Sequence, residues 1–145
     1  MNKILDLGMH PFADMFIKED QLNFSEPVYP LECFLNENTG EIRLGCETKP
    51  DERYSLYDYS YTSSNSNFSR GHWSSYAKNV VDFLKLPKGS LVVEIGSNDG
   101  FLTKQFIECG FESFGVDASP YMCSLAEKNG VQTYNKIFNN ETALE

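Results

Sequence analysis

Residues 91–100 constrain this chain more than any other stretch. Leu91-Val92-Val93-Glu94-Ile95 is a short β-branched apolar run that passes directly into Gly96-Ser97-Asn98-Asp99-Gly100. A run of that kind suits a strand buried in a parallel sheet. The glycines permit a sharp turn and a close approach of a ligand to the main chain. The pattern that follows is regular. A helix is expected from Phe101 to about Cys109, closed by Gly110. Phe111–Val116 reads as a second strand ending at Asp117. Ser119 and Pro120 supply an N-cap and a first-turn proline for a helix to about Asn129, with Gly130 past its end. Val131-Gln132-Thr133-Tyr134 opens a third strand. Upstream, Trp73, Tyr76, Val80 and Phe83 recur at helical spacing, and that helix stops at Leu86-Pro87. The order β-α-β-α-β is the first half of a doubly wound α/β sheet.

Residues 1–50 have a different texture, that of short strands and turns. Tyr29–Leu35 and Glu41–Cys46 both alternate, with Leu31, Cys33 and Leu35 on one face of the first and Ile42, Leu44 and Cys46 together on the second. Asn36-Glu37-Asn38-Thr39-Gly40 lies between them, so a β-hairpin is predicted. Residues 51–72 hold Tyr54, Tyr57, Tyr59 and Tyr61, half the tyrosines of the chain, followed by Thr62-Ser63-Ser64-Asn65-Ser66. Two readings of this block stand: a loop that lays rings over a ligand, or a linker whose tyrosines pack on a neighbouring surface. The expected organisation is a hairpin lobe over 1–50, a connecting block over 51–72 and a partial α/β domain over 73–145.

The glycine loop carries the chemistry. A nicotinamide-dinucleotide loop wants G-x-G-x-x-G, and here the second and third glycine positions are Asn98 and Phe101. Asp117 lies 21 residues after Gly96, at the tip of the second strand, where an acid accepts ribose hydroxyl hydrogens. Loop and acid together fit S-adenosylmethionine, whose sulfonium and amino group suit a pocket containing Glu94 and Asp99. The expected cofactor-binding set is Glu94, Gly96, Ser97, Asn98, Asp99, Gly100, Asp117 and Ala118.

Charge excludes several alternatives. The chain of 145 residues carries 12 basic and 21 acidic side chains, and neither half is basic. A nucleic-acid partner or an anionic membrane surface is therefore not expected. No stretch of about 18 apolar residues exists to span a bilayer. Asp6 interrupts any signal-peptide core near the start, and a cytoplasmic location is the expectation. Cys33, Cys46, Cys109 and Cys123 form no C-x-x-C pair, so reduced and mostly buried thiols are expected.

Read end to end, the sequence resembles the S-adenosylmethionine-dependent sugar C-methyltransferases that act on nucleotide-linked deoxysugars. Leu5-Asp6-Leu7-Gly8-Met9-His10-Pro11-Phe12-Ala13 is similar to that family's opening segment, and Tyr29-Pro30-Leu31 to the start of its zinc-binding hairpin. Tyr59–Ser66 followed by His72 resembles its tyrosine-serine block. Leu91–Gly100 is close to its cofactor loop, and Gly130-Val131-Gln132-Thr133 to its third strand. The resemblance implies a zinc-binding lobe, a Rossmann-like methyl-donor domain and a C-terminal domain that helps bind the sugar. It also implies a base that forms an enolate at a sugar keto group. It places Tyr59, Tyr61, Ser63, Ser64 and His72 near the cofactor and substrate cleft. The catalytic base is expected beyond the third strand, outside this sequence, so none is assigned.

Two departures from the family pattern matter. Asn36 and Thr39 stand where the second C-x-x-C knuckle would fall, and amide and hydroxyl groups are poor zinc ligands beside thiolates. Structural zinc is therefore expected to be absent. Only 55 residues follow Ser90, enough for three strands and two helices. The first strand is then an exposed edge, to be completed by a second polypeptide or by self-association, unless the chain is a truncated product. The alternative to an enzyme is a non-catalytic cofactor-binding or interaction module.

Overall fold

The computed structural model describes residues 1–14, 16–54 and 61–145. The chain divides into two compact units, Met1–Tyr57 and Asp58–Glu145. In the first, β1 (Asn2–His10), β2 (Tyr29–Asn36) and β3 (Glu41–Leu44) form an antiparallel sheet in that order. The hairpin is present, with Cys33 opposite Leu44 and Leu35 opposite Ile42. Its turn closes because Gly40 takes a φ of +72° and its amide donates to Asn36 O at 2.8 Å. A one-turn helix, α1 (Pro50–Tyr54), follows, so this unit runs past the expected boundary at residue 50.

The second unit holds a parallel sheet of β4 (Leu91–Ile95), β5 (Glu112–Asp117) and β6 (Thr133–Asn135), in that order. Helices α3 (Phe101–Glu108) and α4 (Pro120–Lys128) make its two crossovers. Both crossovers step in the same direction along the sheet, and right-handed connections then put both helices on one face. A further helix, α2 (Asn67–Leu84), packs on α3. Ala77, Phe106 and Phe111 form the core under these helices, with Val92 of β4 packed against it. The mixed α/β class matches the sequence reading.

Three details differ from it. Helix α2 begins at Asn67, inside the block assigned as a connector, because Ser66 caps it by accepting the Ser69 amide at 3.1 Å. Strand β6 starts two residues later than expected, at Thr133. The Val131 amide is already committed to Ala126 O at the end of α4. Strand β3 ends at Leu44, short of Cys46. The exposed edge expected of the first sheet strand is observed: among the described residues β4 pairs only with β5, and Leu91, Val93 and Ile95 are exposed.

Candidate functional site

The site forms at the carboxyl ends of β4 and β5, where parallel α/β sheets present ligand-binding loops. The turn from β4 into α3 alternates into the left-handed region, with φ of +73° at Gly96, +52° at Asn98 and +73° at Gly100. The amides of Gly96 and Ser97 both donate to Val116 O, at 2.8 and 3.2 Å, which pins the loop to β5. Gly100 is required twice. Besides its φ, a Cβ there would stand 2.9 Å from Ala126 Cβ and 3.1 Å from Val131 Cβ, so α3 enters flush against α4.

Asp117 organises the crevice from the tip of β5. One carboxylate oxygen accepts the Asn98 amide at 2.7 Å and the other accepts the Ser119 amide at 2.8 Å. A carboxylate has about four acceptor positions, so two remain for hydroxyls of a ligand. Ala118 follows at half-burial. Asp99 turns inward and is 2% exposed. It accepts the Phe101 amide, which caps α3, and the hydroxyl and amide of Ser64 at 2.5 and 3.1 Å. The Asn98 side chain accepts the Ser63 amide at 2.9 Å and donates to Tyr61 O at 2.8 Å. The segment Tyr61–Ser64 is thus laced onto the loop.

Ser97 is placed differently from the rest of the expected set. Its side chain is buried at 1% exposure, and a Cβ on Gly115 would collide with its Oγ. The hydroxyl faces β5, has no hydrogen-bond partner among the described residues, and leaves only the backbone of Ser97 to meet a ligand. His72 is exposed on α2 with its ring edge-on to Trp73, at 4.7 Å between centroids, outside the network that joins Tyr61–Ser64 to the loop. Tyr59 lies outside the described residues.

Glu94 points to the helix side of β4, where the Thr103 hydroxyl donates to it at 2.5 Å. Burial pushes its carboxyl from 4.5 up to about 7, and the charges of Asp99 and Asp117 push the same way, against the Thr103 hydrogen bond. Three acids around a loop of approachable backbone favour a ligand that brings positive charge and hydroxyl donors. Sequence reasoning missed Thr103, one helical turn into α3 and 1% exposed, and Asn129, whose amide donates to Asp99 O at 3.0 Å. Neither position carries a local signal, because each acts on a residue distant in sequence.

The lobe offers less to a metal. Asn36 Oδ1 accepts the Asn38 amide and Thr39 Oγ1 accepts the Glu41 amide, so both side chains serve the turn. Among the described residues no group of three or more His, Cys, Asp or Glu side chains stands together.

The sequence matches to known proteins cover both units. Residues 1–54 match the family described as "Putative zinc binding domain". The chain is 25% identical over 142 residues to the C-methyltransferase NovU of Streptomyces niveus, a match that covers 98% of this chain and 33% of that protein. A crystal structure of an S-adenosylmethionine-dependent methyltransferase from Bacteroides fragilis, in complex with S-adenosyl-L-homocysteine, aligns at 22% identity with a TM-score of 0.32. It covers 37% of this chain and 23% of that one. The chain therefore resembles the N-terminal portion of a C-methyltransferase and spans about a third of the length of the curated relative it matches.

Proposed function

We propose that this chain binds S-adenosylmethionine at the β4–α3 loop, as the front portion of a methyltransferase acting on a nucleotide-linked sugar. The observation that carries the reading is the coupling of the left-handed Gly96/Asn98/Gly100 loop to Asp117 through the Asn98 amide. Backbone of Gly96, Ser97 and Asn98 would meet the ligand, Asp117 beside Ala118 would hold the ribose hydroxyls, and Glu94 and Asp99 would set a negative field for the sulfonium and ammonium. When bound, that cofactor supplies an electrophilic methyl group. The chain's own part is to orient it and to hold the carboxylates of Glu94 and Asp99 in place, which Thr103 and Ser64 do by donating hydrogen bonds.

The sugar, the cytoplasmic location and the lack of a structural zinc belong to this proposal as well. Among the described residues no helix is long and apolar enough to cross a membrane. Isothermal titration with S-adenosylhomocysteine tests the reading. Saturable binding that Asp117→Ala weakens at least about tenfold supports it. No heat at millimolar ligand, with the chain folded, overturns it.

A second reading is a module that binds the cofactor without turnover. His72, the one imidazole in the second unit, stands exposed and outside the loop network, which favours it. Methyl transfer to a nucleotide-linked keto sugar by the isolated chain would exclude that alternative.

A further inference from the structure

We propose that Asn98 is a positioning residue that couples two sides of the site. A ligand held on Asp117 fixes the segment Tyr61–Ser64 against the β4–α3 loop, and the docked segment in turn tightens the ligand. This inference rests on the reading that a ribose-bearing cofactor binds at the loop, and it assigns to one side chain the link between that cofactor and the segment beside it.

Asn98 is committed in both directions. Its amide donates to Asp117 Oδ2 at 2.7 Å. Its side-chain oxygen accepts the Ser63 and Asp99 amides, both at 2.9 Å, and its side-chain nitrogen donates to Tyr61 O at 2.8 Å. The residue holds all of these bonds from the left-handed region, at a φ of +52°. Glycine would adopt that conformation at the lowest cost, but it has no group with which to hold two points of another segment. Asparagine tolerates the left-handed backbone and brings an acceptor and a donor, matched here to the Ser63 amide and the Tyr61 carbonyl.

The other anchors of the segment lead elsewhere. Ser64 donates its amide and hydroxyl to Asp99, whose second oxygen accepts the Phe101 amide, and the Ser64 carbonyl accepts from Arg70 Nη1 at 2.5 Å. These bonds tie the segment to α3 and α2. Among the described residues that hold Tyr61–Ser64, Asn98 is the one that also bonds Asp117. Tyr61 is 47% exposed and Ser63 and Ser64 are half-buried, so hydrogen bonds more than packing keep the segment docked, and it opens locally. Hydroxyls on Asp117 restrain the carboxylate that anchors the Asn98 amide. With the loop fixed, both side-chain bonds of Asn98 stay aligned and the open form of the segment becomes less populated. Linkage makes the effect reciprocal: the factor by which the ligand closes the segment is the factor by which the closed segment raises ligand affinity.

The test follows hydrogen exchange of the Ser64 amide in the full chain, with and without saturating S-adenosylhomocysteine, beside isothermal titration of the same ligand. That amide bonds Asp99 and not Asn98, so it reports the segment without being a partner of the substituted residue. In the unsubstituted chain, ligand should slow its exchange about five- to tenfold. Asn98→Gly keeps the left-handed backbone and the amide to Asp117. It should still bind ligand, about five- to tenfold more weakly, and the ligand-induced slowing at Ser64 should vanish. Ser64→Ala loosens the segment from the Asp99 side and should weaken binding about two- to threefold, although it leaves Asn98 and Asp117 in place. Circular dichroism checks the fold of both variants, and Ser64→Ala decides the matter if Asn98→Gly does not fold. Three results would overturn the coupling while leaving the ligand reading intact: binding without slowing at Ser64 in the unsubstituted chain, undiminished slowing in Asn98→Gly, or unchanged affinity in the folded variants. No binding by the folded, unsubstituted chain would overturn both.

Discussion

The two units solve the same problem, an apolar sheet in water, with opposite resources. Every fully buried side chain described, from Ala77 to Val131, belongs to the unit Asp58–Glu145. In Met1–Tyr57 the whole of β1 is exposed, and Leu5, Ile42 and Leu44 are 45%, 60% and 61% exposed. The first unit rests on its hydrogen-bonded ladder, on the Lys3 pairs to Asp6 and Glu32, and on the packing of Phe12 with Tyr29. The second has a packed layer of helices. A half-covered parallel sheet can hold a shaped loop because one face is solid; the antiparallel sheet of the first unit has no buried side chain among the described residues.

The contrast breaks most readily at the core. Phe106→Ala, at 5% exposure under α2, should cost about 3–5 kcal/mol in chemical denaturation, whereas Ile42→Ala in the first unit should cost under about 1 kcal/mol. Equal losses would show that the lobe is as tightly packed as the α/β unit. Next comes a matched pair of glycines. Gly100→Ala, with φ of +73° and a Cβ at 2.9 Å from Ala126, should lose about 1–3 kcal/mol, and the loss should fall on ligand binding too. Gly40→Ala has a φ of +72° but open space, and should lose about 1 kcal/mol or less. Ser64→Ala removes the hydroxyl bond to Asp99 and should cost about 0.5–1.5 kcal/mol, read as faster exchange of the α3 amides.

The dependence on pH has opposite signs in the two units. The folded-state carboxyl of Glu94 is raised, chiefly by burial, so the folded unit holds a proton that the unfolded chain gives up. Stability from this group is complete below about 4.5, falls as the pH rises towards about 7, and is level above that. Glu94→Gln should flatten this slope. Asp6 is lowered, first by its hydrogen bond from Lys3, so its contribution is present above 3.8 and is lost as acid protonates it. Lys3→Met should reduce that acid-side dependence, leaving the part due to the Gly8 amide, and leave the Glu94 slope untouched. A cationic ligand favours the ionised form of Glu94, so affinity at the loop should drop as the pH falls below about 7.

Local punctuation made most of the second unit legible. The β-branched run at Leu91–Ile95, the glycines at 96, 100, 110 and 130, and the Ser119-Pro120 cap each act within a few residues, and the elements fall beside them. The start of α2 was not legible. Ser66-Asn67-Phe68-Ser69 reads as polar turn, and Phe68 is 85% exposed, so no apolar period marks the first turn. The inward aim of Ser97 and the bonds from Ser64 to Asp99 and from Thr103 to Glu94 depend on tertiary approach, the first of those bonds spanning 35 residues. The acids were visible as residue types; that Asp99 is tied to Ser64 and that Asp117 holds the Asn98 and Ser119 amides became visible only with the fold.

The proposed ligand chemistry belongs to the second unit, at the loop tied to Asp117. Titrating S-adenosylhomocysteine into the full chain while following backbone amide resonances tests it directly. The account predicts saturable shifts at Gly96, Asn98, Gly100 and Ala118, with the amides of residues 2–10 and 29–44 unmoved. Shifts confined to the first unit, or none at saturating ligand with the spectrum of a folded chain, would contradict it.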